Sequence, residues 1–311
     1  MRILSYHFGH DGSITYLAKG RIIFHSQLER TCKFKSHATP SRELVDTLKR
    51  HNVKADIFVL TWTDYNDWVL NIVSLFKRNN IISEKTKIIP VGRKEHHIFH
   101  ALCAFHTTKF REGSIYVYDA HGAIVNNQQL KTTGEECVSG YRIKDQVYQL
   151  FKKFYINDNN IAECGVAYGR LNSSLGLHHT QCGHTMAFSS YGKEDDNIPS
   201  FLNSDYSFKK EYFTGHDGFK PIDNLKHKLT LDKNDVYSKN TAWRVQKDFE
   251  EKTLFDIKKF IAQTPCNNLI ITGGCAQNIF SNTRLLNELD VNVEIDPMCN
   301  DQGISMGSAI K

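Results

Sequence analysis

Apolar and polar residues alternate in short runs near the start of the chain, and that period predicts strands. Arg2–Phe8 is apolar-rich, Gly9-His10-Asp11-Gly12 breaks it, and Ser13–Phe24 resumes with a further turn at Lys19-Gly20. The scheme returns at Ser114–Val125: a strand to Tyr118, then Asp119-Ala120-His121-Gly122, then a second strand. A strand, a turn carrying Asp and Gly, and a return strand thus open both halves. This weak internal repeat predicts a duplicated lobe, residues 1–112 and 113–311, with the boundary near 112.

Between these openings the pattern alternates strand and helix. Pro40-Ser41-Arg42-Glu43 starts a helix that runs on through Leu44–His51, with proline early and an acid in the first turn. Ala55–Trp62 and Lys87–Val91 read as short buried strands, which gives the first half α/β character. In the second half, residues 193–240 are polar, speckled with aromatics and without period, and are expected to form an insertion or long loop. Thr241–Ala262 places apolar residues at 242, 245, 249, 257, 260 and 261, one face of a long helix. Asn267–Ile271 then reads as a buried strand entering the Gly273-Gly274 turn.

Composition changes this picture little. The 311 residues are 40% hydrophobic and 23% charged, an ordinary globular balance with room for two lobes. No apolar run approaches the ~20 residues of a membrane span, and no signal core follows the N-terminus, so a soluble cytoplasmic chain without a membrane partner is expected. The eight cysteines include no Cys-x-x-Cys pair, which favours reduced thiols over a disulfide framework or a structural zinc site. A net charge of +5 permits an acidic partner or substrate without requiring one.

Three constellations carry candidate chemistry. Glu95-His96-His97-Ile98-Phe99-His100 puts His96 and His100 four apart, on one face of a helix and within reach of one metal ion, unless they are surface histidines. Asp119 and Asp301 each follow a strand, one in each candidate turn. Alternatively, Asp119 shapes its turn and Asp301 caps the helix that begins at Gly303. Two imidazoles and two carboxylates suit iron, manganese or zinc better than magnesium or calcium. Thr272-Gly273-Gly274-Cys275-Ala276-Gln277-Asn278 lets the backbone approach a nucleotide closely, or simply turns a strand into a helix. Glu29-Arg30 with Lys33 and Lys35 is a phosphate clamp or a solvated charged loop.

Taken in order, these segments resemble the O-carbamoyltransferase family of antibiotic and nodulation-factor tailoring enzymes. The matching pieces are His10-Asp11-Gly12-Ser13, Glu29-Arg30 with Lys35, His96-His97-x-x-His100-Ala101, and Asp119 in its turn. Gly183-His184-Thr185-Met186-Ala187 with Ser190-Tyr191-Gly192 follows, then Gly273-Gly274-Cys275-Ala276-Gln277-Asn278. The series closes with Pro297-x-x-x-Asp301-Gln302-Gly303-x-x-x-Gly307-Ser308-Ala309. The resemblance runs from about residue 3 to 310.

That resemblance implies an actin-like (ASKHA) α/β fold shared with tRNA threonylcarbamoyl transferases, with two duplicated lobes around a nucleotide and metal cleft. It implies one transition metal, iron before manganese or zinc, on His96, His100, Asp119 and Asp301. It places an adenylate at Gly273, Gly274, Asn278, Tyr191 and Gly192, with His10, Lys35, Glu29 and Arg30 at the reacting end. The activity implied is carbamoyl transfer from carbamoyl adenylate, made from carbamoyl phosphate and ATP, to an acceptor hydroxyl on a sugar, an antibiotic or a hydroxymethylated nucleobase. Family members usually continue into an adenylate-forming domain, expected here beyond residue 311 or on a separate protein. The chain departs from the family pattern at Cys275, Gln277, His184 and His121. A tRNA threonylcarbamoyl transferase-like enzyme is the rival activity, and an inactive nucleotide-binding scaffold the rival of another class.

Overall fold

The computed structural model describes residues 1–33, 39–63, 66–127, 132–144, 147–157, 163–178, 181–214 and 220–311. The chain divides into two compact units, Met1–Lys109 with Asp296–Lys311, and Phe110–Ile295. The crossover falls near the expected boundary. The C-terminal stretch, expected with the second lobe, belongs instead to the first.

In the first unit, strands β1 (Arg2–His7), β2 (Ser13–Ala18), β3 (Arg21–Gln27), β4 (Ile57–Thr61) and β5 (Lys87–Val91) form one sheet in the order β3-β2-β1-β4-β5. β1 pairs antiparallel with β2 and parallel with β4, which pairs parallel with β5. The central β4 is buried over Phe58–Thr61, as a parallel strand covered on both faces must be. Helix α1 (Glu29–Cys32) is a single turn after β3. Helix α2 (Arg42–Arg50) starts where the sequence predicts, with the Ser41 side chain accepting from Leu44 N and Leu44, Val45 and Leu48 buried. Helix α3 (Asn66–Arg78) follows β4, and α4 (His96–Thr107) follows β5.

The second unit repeats this topology. Strand β6 (Gly113–Tyr118) lies parallel to β10 (Asn268–Thr272), which lies parallel to β11 (Asn292–Ile295). On its other side β6 pairs antiparallel with β8 (Thr132–Lys144), and β8 with β9 (Val147–Asn157). Order and polarity therefore match the first sheet, β6 standing where β1 stands. One local expectation changes. Strand β7 (Ile124–Asn127) does not return along β6; it also pairs antiparallel with β8. Asp119 N and Gly122 N donate to the Cys137 and Glu136 carbonyls, so the segment from 119 to 123 interrupts one strand line without reversing it. The true return strand is β8.

Helices α5 (Cys164–Ser174), α6 (Cys182–Ser189), α7 (Val236–Gln263) and α8 (Ile279–Glu288) complete this unit. Helix α7 begins earlier than expected because Asp235 caps it, accepting from Ser238 N. Among its described residues the stretch before it has little regular structure, yet it is more than a polar loop. Ile198, Phe201, Phe208 and Phe213 are buried in it, with edge-to-face ring pairs. Buried Arg170 of α5 holds it through the Pro221 and Thr214 carbonyls and Asp223, and Asp248 of α7 accepts from Phe201 N. No helix among the described residues is long and apolar enough to cross a membrane. None of the eight cysteines forms a disulfide.

Candidate functional site

In the first unit the candidate chemistry converges on one carboxylate. Gly92 follows β5 and opens a single tight turn, and α4 begins at His96 with its histidines turned inward. His96 and His100 are buried, and their Nε2 atoms lie 3.2 Å apart. Asp301 opens the turn that leads into the last helix, α9 (Ile304–Ile310). Asn300, not Asp301, caps that turn, accepting from Gln302 N. Asp301 Oδ1 stands 3.4 Å from both His96 Nε2 and His100 Nε2. Its Oδ2 stands 3.5 Å from His10 Nε2 and 3.6 Å from His7 Nε2.

Burial alone would raise the Asp301 pKa, but the surrounding imidazoles, His10 and His96 foremost, hold it well below the usual carboxylate range. His7, at the end of β1, is fully buried, and burial pushes its pKa down against the pull of Asp301. Its Nδ1 bonds to Thr61 Oγ1 at 2.7 Å. His10 is different: its side chain is 47% exposed, and its Nδ1 lies 3.3 Å from Asp11. It joins the buried cluster to solvent.

The histidines share one further neighbour. Trp62, just past β4, holds a left-handed backbone (φ 62°) and places its indole Nε1 3.2 Å from His96 Nδ1. Its ring meets His7 and His10 edge-on, and the Arg93 guanidinium lies 4.2 Å from its centroid. A bulky residue in that conformation is strained, and such strain gathers at functional sites.

The donor set fits a transition metal. Two ligand atoms about 2.1 Å from one ion, at tetrahedral or octahedral angles, lie roughly 3.0–3.4 Å apart. The two Nε2 atoms and Asp301 Oδ1 meet that spacing. Asp301 Oδ2 and His7 Nε2 are buried and make no hydrogen bond to the described residues, which favours a cation beside them.

In the second unit the candidate residues gather around Asp119. Its Oδ1 accepts from Ala120 N at 2.7 Å. Three glycines make room for this segment. A Cβ on Gly274 would lie 2.8 Å from Asp119 Oδ1, one on Gly165 2.5 Å from Ala120 Cα, and one on Gly273 (φ 95°) would overlap the Tyr118 carbonyl. The paired glycines, read from sequence as a nucleotide turn, are thus already required by the strand that carries Asp119. Asn278 caps α8 through Oδ1 and is buried. Tyr191 is exposed past the end of α6, whereas Gly192 packs against the Lys239 carbonyl with no space for a side chain.

The charged segment after β3 is placed in part. Glu29 and Arg30 lie on α1, where the exposed Arg30 donates to Gln27 and pairs with Glu29. Lys35 lies outside the described residues. Sequence reasoning missed His7, Trp62 and Arg93. Only His7 left a trace, as a polar residue in register with Ser5 on a buried strand.

Solved structures share this fold. The activator of 2-hydroxyisocaproyl-CoA dehydratase from Clostridium difficile, with bound ADPNP, matches with a TM-score of 0.51 at 11% identity, over 100% of this chain and 93% of that one. Component A of (R)-2-hydroxyglutaryl-CoA dehydratase from Acidaminococcus fermentans gives 0.51 at 10%, over 99% and 95%. Full-length HypF in its phosphate- and nucleotide-bound form gives 0.51 at 13% identity, covering 99% of this chain, which spans 55% of HypF. At these identities the likeness concerns the fold alone, and that fold is the actin-like one with duplicated α/β lobes. Among curated proteins none matches the sequence. The family model for the carbamoyltransferase N-terminus matches residues 48–310, most of the chain and all of the region from α4 to α9, and on that match the chain belongs to the carbamoyltransferase family.

Proposed function

We propose that this chain transfers a carbamoyl group from carbamoyl adenylate to an acceptor hydroxyl, at a transition-metal centre held by His96, His100, Asp301 and Asp119. The observation that carries the reading is one buried carboxylate ringed by four imidazoles, with His10 leading out to solvent. The first three ligands fit by their spacing; Asp119 and the choice of iron over manganese or zinc rest on the family resemblance. The bound ion supplies Lewis acidity toward the donor's phosphate or carbonyl oxygen.

The chain's own residues do the remaining work. AMP is a good leaving group, so the acceptor's proton is the one that must be managed. Asp11 accepts from His10 Nδ1, which leaves Nε2 as the base for the acceptor hydroxyl; Asp301 then faces the imidazolium that forms. His7, kept neutral by burial, and Trp62 hold the cluster's shape. Lys35 and Arg30 stabilise charge at the carbonyl and phosphate, with Glu29 as the partner that orients Arg30. The turn from Gly273 to Asn278, with Tyr191 and Gly192, receives the adenylate.

The donor is made from carbamoyl phosphate and ATP by an adenylate-forming domain, in cis or in trans. The acceptor is a hydroxyl compound. Exposed lysines at 193, 210, 220, 226, 228 and 233, with the net charge of +5, favour a hydroxymethylated base in DNA over a sugar or cationic antibiotic. The test supplies preformed carbamoyl adenylate with a panel of hydroxylated acceptors and reads products by mass spectrometry. Carbamoylated product is expected from the adenylate. No product with any acceptor, from metal-replete protein, would overturn the reading.

A further inference from the structure

The side chain of Asn278 is committed inside its own unit. Its Oδ1 accepts from Ser281 N at 3.0 Å and from Gln246 Nε2 at 3.1 Å, and its Nδ2 donates to Gln246 Oε1 at 3.0 Å. Gln246, on α7, is equally engaged. Its Oε1 also accepts from the Tyr168 hydroxyl at 2.8 Å, and its Nε2 donates to Glu250 Oε1 at 3.0 Å. Both amides are buried, and every polar side-chain atom of the pair has a partner.

An amide pair this fully engaged has little capacity left to read a ligand. It is suited to holding a backbone. The segment from Gly273 to Asn278 leaves β10 pressed against Tyr118 and Asp119, and ends where Asn278 caps α8. Its near end is fixed by those glycine contacts and its far end by Gln246. We infer that Gln246 is a positioning residue, acting through Asn278 to keep this turn in the shape that receives the adenylate. The inference rests on the nucleotide reading given above and changes the part Asn278 plays in it, from contact to anchor.

Two substitutions separate these roles. Gln246→Leu nearly keeps the volume and removes the pair; Asn278→Ser keeps an oxygen able to cap α8 but lacks the amide. Binding of N-methylanthraniloyl-ATP is titrated for the wild type, both single variants and the double variant. Each single change should weaken binding about tenfold, and the double variant should be no weaker than the weaker single, because both break one link. With carbamoyl adenylate as donor, its KM should rise by the same factor while kcat, the acceptor KM and metal content stay unchanged. A general loss of fold would move all of them. If Gln246→Leu does not fold, Gln246→Met takes its place. Wild-type affinity in a folded Gln246 variant, or additive losses in the double variant, would overturn the inference. Failure of the wild type to bind the nucleotide would overturn the nucleotide reading as well.

Discussion

Gly307 of α9 lies against the carbonyl of Phe99 in α4, with no room between them for a side chain. On its opposite face α9 is fastened by hydroxyls: Ser308 to Ser5 at 2.6 Å, and Ser305 to both Ser13 and Thr15 at 2.8 Å. The helix is wedged between α4, which carries His96 and His100, and the β1–β2 pair, which leads to His7 and His10. Asp301 sits at its mouth, so backbone contact sets where that carboxylate meets four imidazoles.

Gly307→Ala should therefore damage the site more than the fold. Forcing a methyl into this contact costs about 1–3 kcal/mol of stability. The same shift moves Asp301 away from the α4 histidines, and metal affinity should fall tenfold or more. Thermal unfolding and competition with a chelating dye measure the two effects. Unchanged metal affinity in the folded variant would show that the seating of α9 does not govern the site.

The second unit carries a pH dependence of unusual sign. Burial pushes the Asp248 pKa up to about 6, against hydrogen bonds from Phe201 N and Ser200 that pull it down. A native value above the unfolded one means the folded state keeps this proton as pH rises from about 4 to about 6. Stability from this group therefore declines across that window, by on the order of 2–3 kcal/mol, and is level above it. Asp223 acts oppositely and lower. Burial would raise it, but bonds from Thr214 and Arg170 bring it to about 2, so its contribution is present above pH 4 and is lost in stronger acid. Denaturant midpoints of wild type and Asp248→Asn between pH 4 and 7 isolate the Asp248 effect. Parallel curves would contradict it.

His10→Gln should retain the metal and the fold while kcat falls on the order of 10²–10⁴-fold, the range for a lost general base. Its partial exposure makes a folding defect small. Turnover with preformed carbamoyl adenylate checks this, and near-normal kcat would remove His10 from proton transfer.

Much of this was legible in the chain. The repeated strand–turn opening foretold two lobes of equal topology, and the spacing of His96 and His100 foretold a shared helix face. Other features were hidden for physical reasons. Asp119 and Gly122 are turn-forming residues, so an interruption within one strand line reads locally as a reversal; only the bonds to residues 136 and 137 distinguish the two. The return of α9 to the first unit depends on Gly307, Ser305 and Ser308 being small on two faces, which carries no period of its own. Trp62 reaches His96 through a left-handed backbone that no local pattern announces. The stretch before α7 looked polar because its buried phenylalanines are spaced irregularly.

The most direct test is carbamoyl transfer from preformed carbamoyl adenylate before chelation, after chelation and after titration with iron(II), manganese(II) or zinc(II), alongside Asp301→Asn. Chelated protein should be inactive, one equivalent of one of these ions should restore it, and Asp301→Asn should neither hold the ion nor recover. Full turnover by metal-free wild-type protein would contradict the metal-centre reading.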